Sequence, residues 1–189
     1  MLKRFRVNNF KSLLNVEFVP SGINLLVGAN NAGKTNLCTA LRLVGLSSKQ
    51  TLDAAALGAI GERWNLTNFY VKGKNEIEFE IVAILRQENN PPHDLFVQRT
   101  EKITYSYSLK LKTARSDKAA AESLSVQEEV LKASGEGMSR FTETVLLENR
   151  EGQARMLHEE GFARGRPGSP FYVEAKAPVN APCCRSFMS

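Results

Sequence analysis

The chain has 189 residues, of which 42% are hydrophobic, so it is long and apolar enough to bury one core. Its longest uninterrupted apolar run, Ile81 to Leu85, is far too short to span a bilayer, and no apolar stretch follows the basic N-terminus as in a signal peptide. Three cysteines without C-x-x-C spacing and two isolated histidines predict neither a disulfide framework nor a His/Cys metal site. We therefore expect a cytoplasmic protein with no membrane partner.

The net charge of +5 is concentrated near the N-terminus. Residues 1–50 contain seven Lys or Arg against one acidic residue, which gives +6, and the remainder contains eighteen against nineteen, which gives −1. This excess is consistent with a nucleic-acid surface or with the surroundings of a polyphosphate site. The polyphosphate interpretation is favoured, and DNA stays a possible partner.

Two short strands are predicted at the start of the chain. "RFRVNNF" places Phe5 and Val7 on one face of the first strand, and "NVEFV" (15–19) alternates as the second. A turn at Pro20 to Gly22 follows. We expect an antiparallel pair that leans on a parallel core.

The next segment predicts a strand, a glycine-rich turn and a helix. Residues 23–27 ("INLLV") are a nearly continuous apolar run, which is typical of a buried strand in a parallel sheet. Beyond the turn, Leu37, Leu41 and Val44 share one helical face, and Gly45 is the predicted stop.

The octet between them, "GANNAGKT" (28–35), fits the G-x-x-x-x-G-K-[ST] pattern of a phosphate-binding loop. Gly28 and Gly33 allow backbone turns that a Cβ would forbid, and the loop opens a helix whose first N–H groups have no internal partner. Lys34 supplies a mobile positive charge for the β- and γ-phosphates of a nucleotide. The Thr35 hydroxyl is a candidate Mg²⁺ ligand, because Mg²⁺ prefers oxygen donors.

An antiparallel sheet is predicted over residues 75–112. "EIEFEIVAIL" begins as strict alternation, and "KITYSYSLKLKT" (102–113) alternates throughout. A Tyr/Lys strand can stack nucleic-acid bases, but a half-buried strand with solvated lysines is favoured.

Three further segments are predicted beyond residue 112. Asp117 caps a helix over 118–133 that Gly135 ends, and residues 143–158 form a hairpin that belongs to the sheet, with its turn at Asn149 to Gly152. Residues 161–189 change in composition, have no sustained period and are expected to form a poorly ordered tail.

The segment "VNNFKSLLNVEFVPSGINLLVGANNAGKTNLCTALRLV" resembles the N-terminal lobe of ABC-type AAA family ATPases, which include RecF-like, SMC-like and OLD-nuclease-like proteins. The resemblance implies an α/β fold, a P-loop NTPase core with an adjoining antiparallel sheet, over residues 1–160. It also implies ATP and Mg²⁺ as cofactors, and two heads that sandwich nucleotide and act on DNA. Phe10 and Lys11, in an N-F-K-S element, are implied nucleotide neighbours. The predicted nucleotide-binding residues are Gly28, Asn30, Asn31, Ala32, Gly33, Lys34, Thr35, Asn36, Phe10 and Lys11.

The carboxylates that complete such an ATPase are not found in this sequence. "TVLLEN" (144–149) is the segment nearest to a Walker B strand, but we interpret it as an ordinary strand with Glu148 in no catalytic role. "ASGEGMS" (133–139) and Gln87 are weak matches to a signature motif and a Q-loop. Catalytic residues are therefore unassigned and the domain is expected to be incomplete. We expect its counterpart in a second head of a homodimer or a separate C-terminal lobe. A P-loop kinase and a nucleic-acid-binding fragment without NTPase activity stay open as alternatives.

Overall fold

The computed structural model of the chain describes residues 1–61, 66–68, 71, 75–86, 102–115, 122–135, 144–157 and 172–176. Two helices and eight strands occur in these residues. In chain order they are β1 (Leu2–Asn8), β2 (Val16–Phe18), α1 (Lys34–Ser47), α2 (Leu52–Ile60), β3 (Glu76–Arg86), β4 (Lys102–Arg115), β5 (Glu122–Gly135), β6 (Thr144–Arg150), β7 (Gln153–Leu157) and β8 (Tyr172–Lys176).

All eight strands belong to one sheet with the order β2-β1-β3-β4-β5-β6-β7-β8. Every pairing among the described strands is antiparallel, so side chains alternate between a buried and a wet face along each strand. The wet face contains the charged residues Arg4, Arg6, Glu76, Glu78, Glu80 and Lys110. The buried face contains Phe5, Val7, Ile77, Phe79, Leu109, Leu111, Leu124 and Val126.

The two helices pack on the buried face and close the main hydrophobic core. Leu37, Ala40, Leu43 and Val44 form the buried stripe of α1, and these positions lie on one side of a 3.6-residue helix. Helix α2 also contacts β5. The core therefore fixes α1, and with it the loop that precedes α1, against the sheet.

The predicted antiparallel sheet over 75–112 is confirmed by the full-length pairing of β3 with β4. The predicted hairpin is confirmed as well, because β6 pairs with β7, but the turn predicted at Asn149 to Gly152 begins too early, since Asn149 and Arg150 still pair with β7. Its two turn residues, Glu151 and Gly152, have φ of 49° and 84°, as the twist of a two-residue hairpin demands.

The predicted helix over 118–133 is wrong, since residues 122–135 form strand β5. The register of β5 against β4 shifts by one residue at Gln127. This bulge interrupts the alternation of buried residues between Val126 and Glu129, so the strand pattern is irregular in the sequence. Pairing along β4 then outweighs the local helix propensity of this segment.

The strand predicted at residues 23–27 is also wrong. The segment has no regular secondary structure, and Ile23, Leu25 and Val27 are 93%, 85% and 81% exposed. A buried parallel strand needs hydrogen-bonded neighbours on both sides, and no described strand lies beside this segment. The parallel half of the expected P-loop core is therefore not present among the described residues.

Two smaller predictions fail at element ends. Gly45 does not stop α1, which continues to Ser47 because Val44 and Ser47 are still buried. The expected tail contains a strand, since β8 pairs with β7. The remainder of 161–189 and the boundary predicted at residue 160 lie outside the described residues.

Candidate functional site

The candidate site is the N-terminus of α1 together with the octet that precedes it. The helix begins at Lys34, and its N-cap residue Gly33 has no side chain to accept from the first-turn N–H groups. The first turn also lacks an acidic residue. These N–H groups and the positive end of the helix dipole are therefore available to an external anion.

Of the two glycines of the octet, Gly33 is the one whose replacement by any other residue is sterically opposed. Its φ is 91°, in the left-handed region. An added Cβ would lie 3.1 Å from Leu13 Cδ2 and 3.2 Å from Ser12 Oγ. The second glycine of the motif thus lets the chain enter α1 in direct contact with the turn that follows β1.

The Lys34 side chain bonds back to the start of the octet. Its Nζ donates hydrogen bonds to the carbonyl oxygens of Gly28 and Ala29, each at 2.7 Å. Ala32 N–H donates to the Ala29 carbonyl at 3.2 Å, which adds a turn inside the loop. The ammonium is therefore held across the loop by carbonyl groups at its start, and a positive charge in such a loop is what a phosphate chain requires.

Five of the predicted binding residues are exposed to solvent. They are Gly28, Asn30, Asn31, Ala32 and Thr35. Thr35 therefore presents a hydroxyl in the first turn of α1 that can reach a ligand.

Phe10 and Lys11 have different surroundings. The Phe10 ring is fully buried and lies 5.8 Å from the Phe79 ring, so its side chain serves the core and cannot stack on a base. Lys11 has a partly exposed side chain at the tip of the same turn and stays a predicted nucleotide neighbour.

Ser12 is a site residue that the sequence analysis missed. Its Oγ accepts a hydrogen bond from Asn36 Nδ2 at 2.7 Å. The amide nitrogen of Asn36, which was predicted to bind nucleotide, is thus occupied by a protein partner. The only sequence signal for Ser12 was its place in the N-F-K-S element.

These residues fit Mg²⁺ bound to a polyphosphate. The described residues contain no group of three or more His, Cys, Asp or Glu that would hold a metal ion unaided. Mg²⁺ commonly takes few protein ligands and completes its shell with phosphate oxygens and water. A single protein hydroxyl, such as that of Thr35, is sufficient for Mg²⁺ binding of this kind.

Glu148 does not belong to this site. Its neighbours Leu147 and Asn149 are on the buried face of the sheet, so Glu148 is on the opposite face from α1. There it is paired with Arg150, at 3.0 Å, and with Arg155. "TVLLEN" is therefore the ordinary strand that the sequence analysis expected. Gln87 and residues 136–139 lie outside the described residues.

Across the described part of the chain, neither helix has the length and apolar character needed to cross a bilayer.

Comparison with known proteins adds one match. A family model described as "AAA ATPase domain" matches residues 1–156, which include the octet and the sheet through most of β7. No match is found among curated protein sequences.

Proposed function

Because the chain belongs to the family of AAA ATPase domains, we propose that it binds ATP and Mg²⁺ through residues 28–35. The observation that carries this proposal is the N-terminus of α1, whose N–H groups have no side-chain cap and whose first residue, Lys34, holds its ammonium across the loop. Backbone N–H groups and Lys34 would bind the β- and γ-phosphates, and Thr35 would bind the metal. Bound Mg²⁺ would neutralise phosphate charge.

The test of ATP binding is Lys34→Ala, with Lys49→Ala as the control. Both changes remove one lysine charge, but Lys49 is exposed at the far end of α1. We expect Lys34→Ala to weaken ATP binding by about tenfold or more, since a charge pair in a partly desolvated site is worth a few kcal/mol. Equal affinity for ATP in the wild type and in Lys34→Ala, measured by calorimetry, would refute the proposal.

The metal role of Thr35 is tested by a pair of substitutions. Thr35→Ser keeps the hydroxyl and should have a mild effect, whereas Thr35→Ala should reduce the Mg²⁺ dependence of ATP binding. An alanine variant with unchanged Mg²⁺ dependence would show that Thr35 is not a ligand.

We further propose that this chain alone hydrolyses ATP slowly. Hydrolysis needs a group that aims a water molecule at the γ-phosphate, and the loop itself supplies only positioning and charge. Glu148, the nearest match to a catalytic carboxylate, is ion-paired on the other face of the sheet. Turnover should stay well below about 1 per second. A rate above that value that Lys34→Ala abolishes would contradict this proposal.

The partner that completes the site is proposed to be a second ATPase head or a separate C-terminal lobe. The apolar run 23–27 supports this, because its apolar side chains are exposed, and an exposed apolar patch commonly marks a contact with another protein segment. Sedimentation of the chain with and without ATP tests the homodimer. A monomer under both conditions leaves the separate lobe as the remaining form of this proposal.

A link to DNA, as in RecF-, SMC- or OLD-like ATPases, is the finer part of the proposal. The wet face of the sheet does not favour DNA binding by charge alone. Arg6 is paired with Glu17 and Glu80, and Lys110 with Glu76 and Glu78. DNA affinity that falls steeply with salt in the absence of ATP would favour the alternative of a simple nucleic-acid-binding protein.

A further inference from the structure

The turn between β1 and β2 has an unusual backbone. Asn9, Lys11 and Asn15 have φ of 58°, 50° and 50° although none of them is glycine. Such conformations are uncommon for residues with a Cβ and persist only where surrounding contacts impose them. The shape of this turn is therefore set by its surroundings.

The contacts that impose this shape come from the core and from backbone partners. The N–H and carbonyl groups of Phe10 and Leu13 bond to each other, at 3.1 and 2.7 Å, and both side chains are buried. Lys11 N–H donates to the Leu66 carbonyl at 2.8 Å. Asn9 Nδ2 donates to the Glu76 carbonyl at 2.6 Å. The turn is thus fixed to the sheet before any ligand binds.

The tip of this fixed turn contacts the start of α1. Ser12 Oγ accepts from Asn36 Nδ2 at 2.7 Å. The same oxygen lies so close to Gly33 that a Cβ there would be 3.2 Å away. A rigid part of the sheet is therefore connected by one side-chain hydrogen bond to the first turn of the candidate site.

We propose that Ser12 is a positioning residue for the phosphate-binding loop and acts through Asn36. This inference rests on the proposed ATP-binding function and deepens it. The hydrogen bond holds the first turn of α1 at one place on the sheet, so its N–H groups are oriented before phosphate arrives. Asn36 then contributes to ATP affinity by its bond to Ser12 and makes no contact with the nucleotide.

A double-mutant cycle tests this assignment. Ser12→Ala and Asn36→Ala should each weaken ATP binding by about three- to tenfold, the usual range for one hydrogen bond. The double variant should be no weaker than either single variant, because all three lack the same bond. Ser12→Thr keeps the hydroxyl and should restore affinity. Ser108→Ala, on the wet face of β4, is the matched serine control.

A second measurement needs no ATP. Leu37 N–H donates to the Gly33 carbonyl at 2.9 Å and reports on the first turn of α1. Its hydrogen exchange should accelerate in Ser12→Ala and Asn36→Ala, and it should stay unchanged in Ser12→Thr and Ser108→Ala.

Each outcome of these measurements either supports or contradicts the positioning role of Ser12. Multiplying effects in the double variant would mean that Ser12 and Asn36 act separately, and unchanged affinity or unchanged Leu37 exchange in the single alanine variants would remove the positioning role. If the wild type does not bind ATP, or Lys34→Ala binds it equally well, the proposed function itself fails. If the wild type binds in a Lys34-dependent manner but ignores Ser12, only the positioning role fails.

Discussion

Two apolar segments of this chain differ in how much of their apolar surface is buried. Strand β3 buries Ile77 and Phe79 against α1 and α2, whereas residues 23–27, which are as apolar, are largely exposed. Strand β3 has a hydrogen-bonded neighbour on each side, β1 and β4. The 23–27 segment has none among the described strands.

The difference shows that hydrophobicity alone does not bury a strand. Antiparallel neighbours can be joined by a tight turn, as β6 and β7 are, although β1 and β3 pair across a long connection that contains both helices. A parallel neighbour requires a crossover of a dozen or more residues. No described strand provides residues 23–27 with such a neighbour, and their side chains stay exposed.

The largest expected effect separates these segments directly. Phe79→Ala should lower the free energy of unfolding by about 3–5 kcal/mol, since the ring is buried against Phe5 and Phe10. Leu25→Ala removes an exposed side chain and should change stability by about 0.5 kcal/mol or less. Urea denaturation of both variants measures the difference. A loss in Leu25→Ala comparable to that in Phe79→Ala would mean that the segment is packed in solution.

Alanine substitutions of two glycines test the backbone conformation at the start of α1. Gly33→Ala should destabilise the chain by about 1–2 kcal/mol, because φ is positive and Leu13 is close. Gly45→Ala lies inside the same helix with nothing within 4 Å of the new methyl group, and it should stabilise by about 0.5–1 kcal/mol. Thermal melts should therefore shift in opposite directions. Shifts of the same sign would place Gly33 in an ordinary helical conformation.

Substitutions in the hairpin turn between β6 and β7 should change stability less than Gly33→Ala does. Gly152→Ala should cost about 1 kcal/mol because φ is 84°. Glu151→Asn places at φ 49° a residue that tolerates the left-handed region, and it should be neutral or slightly stabilising. Chemical denaturation of the two variants is the measurement, and equal losses in both would argue against the two-residue turn.

The smallest expected effect concerns pH and the wet face. The hydrogen bond from Lys110, at 2.8 Å, lowers the pKa of Glu76, and the same bond raises the pKa of Lys110. The contribution of Glu76 is present above the ordinary carboxyl pKa, about 4.3, and is lost as pH falls through its lowered value. The contribution of Lys110 is present below about pH 10.4 and is lost as pH rises through its raised value.

Glu76→Gln should therefore flatten the stability profile at both acid and alkaline extremes and change it little near pH 7, because both partners are partly exposed. Stability measured from pH 3 to pH 11 checks this. A profile identical to that of the wild type at both extremes would show that the pair contributes nothing.

The sequence predicted well those strands in which buried and exposed residues alternate regularly. Strict alternation identified β3 and β4, and the turn predicted at Asn149 to Gly152 contains the two residues, Glu151 and Gly152, that connect β6 and β7. It failed for β5, where the bulge at Gln127 interrupts the alternation of buried residues. In the candidate site it identified Gly33, Lys34 and Thr35 from one motif, but Ser12 was missed because its partner Asn36 lies on another element.

By itself, the sequence determined the glycine-rich octet, the helix after it and the periodicity of most strands, because these follow from local backbone preference and side-chain alternation. Only the tertiary structure decided that Phe10 is a core residue, that Glu148 is on the face opposite α1, and that Ser12 contacts Asn36. Each of these depends on which strands pair and in which register. Register is set by packing over the whole sheet, and a one-residue shift moves every side chain of a strand to the other face.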